Sequence, residues 1–463
     1  MTRPWPRAWL LLIAVGLLLR LPGLLVGGMA DVYEFILDWG ADVRALGLGP
    51  GFSINYGALS FACFGLVARL AEEIPRFWWL PYKGAVIVSE AAVLAALLHL
   101  SPKRMVPWVL FGFWCNPWFI MHGAYQGFWD GAHLAAALGA VVVVRRWPSA
   151  AGWATAGALL LVSWQFKPQG LIHFAAPVGL WLGLVAWRGQ RLPLLVYAAG
   201  FVGAAAMLSL ALALTGGSLL ALLENFRSSS GDARWSNGGV SIWRFAAFVY
   251  MQAQGIPGEV HTLRLPLLWL GAGTVVAAGV TGGVLFAIAK RLANDAGRGG
   301  WPSAAALYVM LAAGALVVSQ FGTRAHINHS HGALVLLLPL LAGHRGAQVA
   351  WVGAVAIQAV AHVARYGLGA AVLLPPDHVI ERYGHAGAIA DAVRTVPAAT
   401  SPDAILRIQA ATNEVLAALP GPGAVSWLSL PMGVAAVWLT VALVGAVRRG
   451  DWRGWLAGTD SDA

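Results

Sequence analysis

Long apolar runs recur along the whole chain, and they restrict its fold more than any other feature of the sequence. A helix needs about 20 consecutive apolar residues to cross the hydrocarbon core of a bilayer. Runs at 8–26, 79–100 and 194–214 meet that length. Hydrophobic residues make up 59% of the chain and charged residues only 11%, with a mean hydropathy of +0.70, which excludes a soluble globular fold. We therefore expect an all-α, polytopic integral membrane protein.

Basic residues at the ends of these runs predict the orientation, because short cytoplasmic loops are enriched in Lys and Arg. Arg3 and Arg7 place the N-terminus in the cytoplasm, and alternate spans then deliver basic ends to the same side. This explains the net charge of +10 without a nucleic-acid partner. The pattern predicts about twelve transmembrane helices with both termini cytoplasmic. The predicted spans are 8–26, 79–100, 105–120, 131–144, 150–166, 171–187, 194–214, 265–289, 303–321, 333–342, 351–374 and 426–447.

The segment that follows the first span is unusually acidic. Asp31, Glu34, Asp38 and Asp42 fall near one helical face, which predicts an amphipathic helix on the membrane surface. A plain solvated face is the alternative for the last three, whereas Asp31 lies where the chain leaves the membrane. The next segment, 57–78, is short for a span. It is either a full span or a pair of juxtamembrane helices, and the loop charges favour the second.

Two cations break the charge pattern of this topology. Lys167 and Arg324 fall in short outer turns, where a positive charge works against the orientation rule. A bound phosphate would stabilise such cations in the outer turns. Alternatively, a lysine near a helix end can simply extend its amine to the membrane interface. His326, His329 and His331 follow Arg324 at a spacing that does not put all three on one helical face. Hydrogen bonding to a phosphate or sugar is therefore favoured over a zinc site.

A third outer feature surrounds Asp130, at the predicted N-terminus of an inward-running helix. The helix dipole favours a carboxylate there, and simple helix capping is the alternative. Tyr125, Gln126, Phe128 and Trp129 precede it and are residue types that sugar sites use, although interfacial aromatic belts share them. A fourth feature is the polar turn 235–243, which contains Asn237 and ends at Trp243.

In order and sidedness these features resemble the GT-C glycosyltransferases, and within them the branch of polyprenyl-phosphomannose-dependent mannosyltransferases. Six places carry the resemblance, from residue 8 to about 345, and they lie in the same order as in the family. They are Asp31 with Tyr33; Asn55-Tyr56, where Gly57 and Ala58 replace the prolines of the family; Gln126 to Asp130; Phe166-Lys-Pro-Gln169; Thr323-Arg-Ala-His326, with Asn328 at a position where the family offers Glu or Arg; and Trp235-Ser-Asn to Trp243.

The resemblance implies a GT-C-like fold and a hexosyltransferase. Such an enzyme would move a sugar, with mannose favoured, from a polyprenyl-monophosphate lipid to a hydroxyl of a lipid, glycan or protein, with inversion. It would work at the outer face of a bacterial-type inner membrane. No cofactor would be required, because two cations can stabilise a monophosphate leaving group, and a divalent metal lacks support.

The implied site residues fall into three groups. The catalytic carboxylates are Asp31 and Asp130. The donor phosphate would be bound by Lys167, Arg324, His326 and His329. The residues implied to bind substrate are Tyr33, Glu34, Tyr125, Gln126, Gln169, Asn237 and Trp243.

The predicted catalytic module covers 1–345, with outer loops at 28–78 and 216–264. The remainder, 346–463, adds helices and an outer segment at 375–425 in which no motif is evident. A transporter or flippase of a lipid-linked substrate would instead carry ionisable residues in mid-span, and Lys83 and Glu90 are the clear pair of that kind. The outer loops would also suit a non-catalytic assembly subunit, and the outer acids and cations would suit an acyl- or phosphotransferase that acts on polyprenyl lipids.

Overall fold

The computed structural model is almost entirely helical. It describes residues 6–25, 28, 32, 34–48, 56–74, 77–216, 236–237, 239–256, 260, 263–295, 300–323, 325–326, 328–341, 344–366 and 424–452. The α-helices in chain order are α1 (Arg7–Arg20), α2 (Ala41–Leu46), α3 (Ala58–Glu73), α4 (Leu80–Leu100), α5 (Val106–Val109), α6 (Pro117–Ile120), α7 (Asp130–Arg146), α8 (Ala150–Phe166), α9 (Ala176–Trp187), α10 (Arg191–Leu214), α11 (Ile242–Gln254), α12 (Leu267–Asp295), α13 (Ala304–Phe321), α14 (Ser330–Leu337), α15 (Arg345–Tyr366), α16 (Ala424–Trp427) and α17 (Ser429–Arg449).

Seven helical segments of the described residues are long and apolar enough to span a membrane. They are Arg7–Leu25, Leu80–Leu100, Gly170–Trp187, Arg191–Leu214, Leu267–Asn294, Ala304–Phe321 and Ser429–Arg449. An eighth is present if Pro117–Tyr125 and Asp130–Arg146, which meet at a bend of 112°, form one broken span. The multi-pass membrane class is thus confirmed, whereas the twelve spans and the GT-C-like arrangement stay predictions.

Close glycine contacts set the packing of the central helices. A Cβ at Gly200 of α10 would lie 1.9 Å from the Ala154 carbonyl oxygen of α8, and one at Gly157 would lie 2.1 Å from the Tyr197 carbonyl oxygen. Small residues let helix backbones approach closely in a membrane, where no hydrophobic effect drives helices together. The core beside this contact is apolar, and it includes the fully buried Trp153.

The segment predicted as the first outer loop packs as an aromatic layer against the bundle. A π-helical segment, Glu34–Gly40, precedes α2, and α3 follows. The Phe35 ring stacks on Phe64 at 4.8 Å, and Tyr82 stacks on Trp129 at 5.5 Å. This layer fixes the loop beside the start of α7. With 16 residues, α3 is shorter than the candidate spans, and its placement on or in the membrane stays a prediction.

The two ends of the bundle differ in character. Arg145, at the end of α7, donates to the His99 carbonyl at the end of α4, and Arg291 donates to the Arg448 carbonyl at the end of α17. The other end holds the helix breaks and the start of α7 at Asp130. We call these the basic end and the site end. Of the predicted outer segments, 217–235 and 375–423 lie outside the described residues.

Candidate functional site

Three π-helical turns interrupt helices that reach or approach the site end. They are Leu110–Trp114, Met121–Tyr125 and Gly170–Ala175. Turns of this kind occur often at functional sites, because they widen the helix and redirect a side chain. After the second turn, Gly127 takes a left-handed φ of +85°, which suits glycine, and the chain reverses into α7. The break therefore places Asp130 at a helix start inside the protein.

Asp130 lies at the centre of a buried polar network. Its Oδ1 lies 2.7 Å from the Lys167 Nζ, and its Oδ2 accepts from His122 Nε2 at 3.0 Å and from Asn328 Nδ2 at 3.5 Å. The Asp130 and Lys167 residues are only 2% and 3% exposed. Both carboxylate oxygens are thus engaged. Buried charges of opposite sign pair in this way because each alone would be costly to desolvate.

Histidines extend the network away from Asp130. His122 Nδ1 meets His362 Nε2 of α15 at 3.4 Å, and the His122 ring lies between Phe128, stacked at 4.3 Å, and His331 at 4.7 Å. On the other side, Asn328 Oδ1 meets His326 Nδ1 at 2.8 Å. The network thus joins residues from four separate parts of the chain.

A two-strand pairing brings the polar turn 235–243 to the same place. Strand β1 (Ser236–Asn237) pairs in parallel with β2 (Ala325–His326), with Asn237 opposite His326. Trp243 Nε1 donates to the Phe321 carbonyl at 2.6 Å. The turn with Asn237 and the turn with His326 are therefore neighbours, although about 90 residues separate them in the sequence. The Asn237 side chain lies outside the described residues.

The end of the predicted first outer loop meets the Lys167 turn directly. The Ala58 amide donates to Gln165 Oε1 at 3.2 Å, and Ser60 Oγ donates to the Phe166 carbonyl at 2.6 Å. A Cβ at Gly57 would lie 2.4 Å from the Gln165 carbonyl oxygen, so this contact requires glycine. The Lys167 amine lies 5.9 Å from the Tyr56 ring centroid. The predicted juncture at Tyr56 and the Lys167 turn are thus adjacent.

Residues on either side of Asp31 also approach the network. A Cβ at Gly28 would lie 2.9 Å from the Gln126 carbonyl oxygen, and a Cβ at Gly127 would lie 2.6 Å from the Val32 side chain. Val32 is fully buried. Asp31, Tyr33 and Arg324 themselves lie outside the described residues, as does the side chain of Glu34.

The remaining predicted site residues have varied surroundings. Gln126 is buried, and neither atom of its amide has a partner among the described residues; the same holds for Oε1 of buried Gln169. Tyr125 is half-buried, with its hydroxyl donating to the Leu19 carbonyl at 3.3 Å. The His329 ring lies 5.8 Å from that of His173. Desolvation lowers the pKa of His329 well below its ordinary value, so this ring would offer hydrogen bonds rather than charge.

A second buried ion pair lies beside the first. Arg20 Nε donates to Glu90 Oε2 at 2.7 Å, and Arg20 also donates to the carbonyls of Gly16 and Trp114. Lys83 donates to the Tyr125 carbonyl. The predicted mid-span residues Lys83 and Glu90 are both buried, but the direct hydrogen-bond partner of Glu90 is Arg20.

Sequence reasoning missed several members of these networks. Arg20 lies inside the predicted first span and was not considered as a site residue. His122 and His362 were not considered either, although an ionisable residue inside an apolar helix often indicates a functional site. No three His, Cys, Asp or Glu side chains of the described residues are grouped to hold a metal ion. That the reaction requires no metal stays a prediction.

No protein-family model matches the chain, and no curated protein matches it.

Proposed function

We propose that this chain is a membrane glycosyltransferase. It would transfer a hexose, with mannose as the first candidate, from a polyprenyl monophosphate to a hydroxyl of a lipid, glycan or protein at the outer face of the membrane. The observation that carries the proposal is the convergence at the site end. Tyr56, Asp130, Lys167, His326 and Asn328 come from distant segments and meet around one buried ion pair. A transport path would instead spread its ionisable groups along the bundle.

In the proposed reaction, the acceptor oxygen attacks the anomeric carbon while the bond from that carbon to the phosphate oxygen breaks. The sugar inverts, the acceptor proton passes to a general base, and polyprenyl phosphate departs with the bonding electrons. A carboxylate suits the role of base. We assign it to Asp31, since Gly28 and Val32 on either side contact the turn that leads to Asp130.

Negative charge grows on the phosphate as it leaves, and fixed cations would stabilise that charge. Lys167 and Arg324 are assigned to it, with His326 and His329 as hydrogen-bonding partners. One of the three N–H groups of the Lys167 amine faces Asp130, which leaves donors for a second anion. Because both oxygens of Asp130 are engaged, we assign Asp130 to holding Lys167 rather than to proton transfer.

Two buried amides beside this cluster have polar atoms without a partner among the described residues, and we assign these atoms to sugar hydroxyls. Gln126 offers a donor and an acceptor, and Gln169 an acceptor. Polar groups buried without partners are costly, so a ligand that pairs with them would gain affinity. Tyr33, Glu34, Tyr125, Asn237 and Trp243 stay predicted substrate contacts.

The test is transfer from polyprenyl-phosphomannose by the purified protein, with Asp31→Asn and Lys167→Ala compared with wild type. Removing a general base lowers the rate by roughly 10²–10⁴-fold. Asp42→Asn is the matched control, because Asp42 is an exposed carboxylate of the same acidic segment. Normal turnover by Asp31→Asn would remove the assignment of the base. No transfer by the wild-type protein from any hexose-loaded polyprenyl phosphate would remove the proposed reaction.

One observation favours a transporter instead. Arg20, Lys83 and Glu90 are buried charges within or beside a candidate span, and such residues often mark substrate or ion paths. Translocation of a fluorescent polyprenyl-phosphate lipid in proteoliposomes, undiminished in the Asp31→Asn variant, would support it over the enzyme.

A further inference from the structure

We infer that His122 and His362 are positioning residues that hold Asp130, and through it Lys167, so that helix α15 completes the candidate site. The inference rests on the proposed function for what the site does. The network itself rests on contacts alone, and it can be tested without activity.

The contacts form one continuous line. His362 Nε2 lies 3.4 Å from His122 Nδ1, His122 Nε2 lies 3.0 Å from Asp130 Oδ2, and Asp130 Oδ1 lies 2.7 Å from Lys167 Nζ. His122 and His362 are both completely buried. Within a buried region no water competes for these bonds, so each partner strongly determines the orientation of the next.

The positions of the ring hydrogens determine which atom donates in each hydrogen bond of this line. An ionised carboxylate only accepts hydrogen bonds, so His122 Nε2 must carry a hydrogen. We assign the one ring hydrogen of His122 to Nε2, so that its Nδ1 is an acceptor and His362 Nε2 donates to it. Asp130 thereby sets the tautomer of His122, and His362 supplies the donor that this tautomer needs at Nδ1. The opposite tautomer would put a lone pair of His122 against the carboxylate and weaken the hold on Lys167.

The His122 ring has little freedom to choose another arrangement. Phe128 stacks on it with an interplanar angle of 3°, and His331 lies against it at 26°. Gly123, the next residue, packs so closely on Glu90 that a Cβ would lie 1.8 Å from the carboxylate oxygen. The rings and the neighbouring backbone are thus held in place, so the Nδ1 atom of His122 depends on His362 for its hydrogen bond.

His362 lies in α15, in the part of the chain after residue 345 where the sequence shows no motif. The resemblance to glycosyltransferases ends near residue 345, and α15 begins there. Trp351 of α15 donates to the Leu334 carbonyl at 2.8 Å, which ties this helix to α14 behind His331. We therefore place α15 within the catalytic module.

The first arm of the experiment is ¹⁵N NMR of histidine-labelled full-length protein in nanodiscs, near neutral pH. The His122 signal is assigned by its loss in His122→Gln. Wild type should show His122 with its hydrogen on Nε2 and a hydrogen-bonded Nδ1, and His362→Leu should shift the Nδ1 signal, because that atom loses its donor. His362→Gln retains an N–H donor and should restore the wild-type pattern. His99→Gln is the control, because His99 is an exposed histidine at the basic end.

The second arm measures transfer from polyprenyl-phosphomannose. Loss of one hydrogen bond in a charged network corresponds to a fall in kcat of about tenfold for His362→Leu. KM should change little, and His362→Gln should recover most of the rate. An unchanged His122 signal in folded His362→Leu would overturn the inference. A wild-type protein that shows the expected tautomer but no transfer would instead contradict the proposed function and leave the positioning network standing.

Discussion

The Asp130–Lys167 pair dominates the candidate site at the level of single residues. Removing one partner of a buried ion pair leaves an uncompensated charge, which costs about 3–5 kcal/mol. We predict that Lys167→Met lowers the free energy of unfolding in detergent by that amount. Lys167→Met combined with Asp130→Asn should cost less than Lys167→Met alone, because no charge is then left unpaired.

Lys103→Met is the matched control, since Lys103 is an exposed lysine at the basic end, and its replacement should change the unfolding free energy by less than ~0.5 kcal/mol. Equal effects of Lys167→Met and Lys103→Met would mean that the ion pair contributes nothing to stability.

Glu90 provides a second test at this scale, because it is confined by both Arg20 and Gly123. We predict that Gly123→Ala destabilises the protein by about 1–3 kcal/mol, since the new methyl group displaces the carboxylate. In a Glu90→Ala background the same change should cost at least ~1 kcal/mol less. Gly84 lies on the same helix as Glu90 but has no atom near its would-be Cβ. Gly84→Ala should be neutral or stabilise by up to ~1 kcal/mol, because alanine favours helix over glycine. Additive effects in this double-mutant cycle would contradict the assigned contact.

Single residues also mark the limit of sequence prediction here. The common sidedness of Asp130 and Lys167 followed from counting basic loops, because that count needs only the order of spans. Their direct contact did not follow, and neither did the partner of Glu90, 70 residues away at Arg20. Pairing across a bundle depends on which helices are neighbours and how they are rotated, and apolar composition carries little information on either.

The bounds of some helices follow closely from the local sequence. The predicted span 150–166 coincides with α8, where Ser149 caps the helix start by accepting from the Gly152 amide and the Lys167-Pro turn ends it. The predicted span 105–120 is instead divided into short helical and π-helical pieces. Asn116 caps the last of these pieces and Pro117 begins it, which is a local signal that hydropathy alone does not use.

The contact of α8 with α10 can be tested with two glycines of one helix. Gly200→Ala would force a Cβ against the α8 backbone, whereas Gly203 has open space around it. We predict that Gly200→Ala lowers the unfolding free energy by about 1–3 kcal/mol. Gly203→Ala should be neutral or raise it by up to ~1 kcal/mol, because alanine favours helix over glycine. Thermal unfolding in one detergent would compare them, and equal stabilities would refute the close approach.

The orientation of the whole molecule decides which substrates can reach the site. Helix α10 begins at the basic Arg191 and ends at Leu214, with Thr215 directly after it at the opposite end. Pro148 lies just beyond the basic end of α7. Both Pro148 and Thr215 are exposed, and the two free cysteines, Cys63 and Cys115, can be replaced by serine to give a clean background. Because basic loops face the cytoplasm, we predict that a membrane-impermeant maleimide labels Thr215→Cys in intact cells and labels Pro148→Cys only after permeabilisation.

The reverse labelling pattern would have a specific chemical consequence. It would turn the Asp130–Lys167 end towards the cytoplasm, where soluble nucleotide sugars are available and a lipid-linked donor gives no advantage. The expected pattern puts the same end where nucleotides are absent, and under the proposed function the activated sugar would then arrive on a membrane lipid. The phosphate of that lipid would then be a second partner of Lys167, beside Asp130. This would explain why a lysine lies at the outer end, where the orientation rule disfavours positive charge.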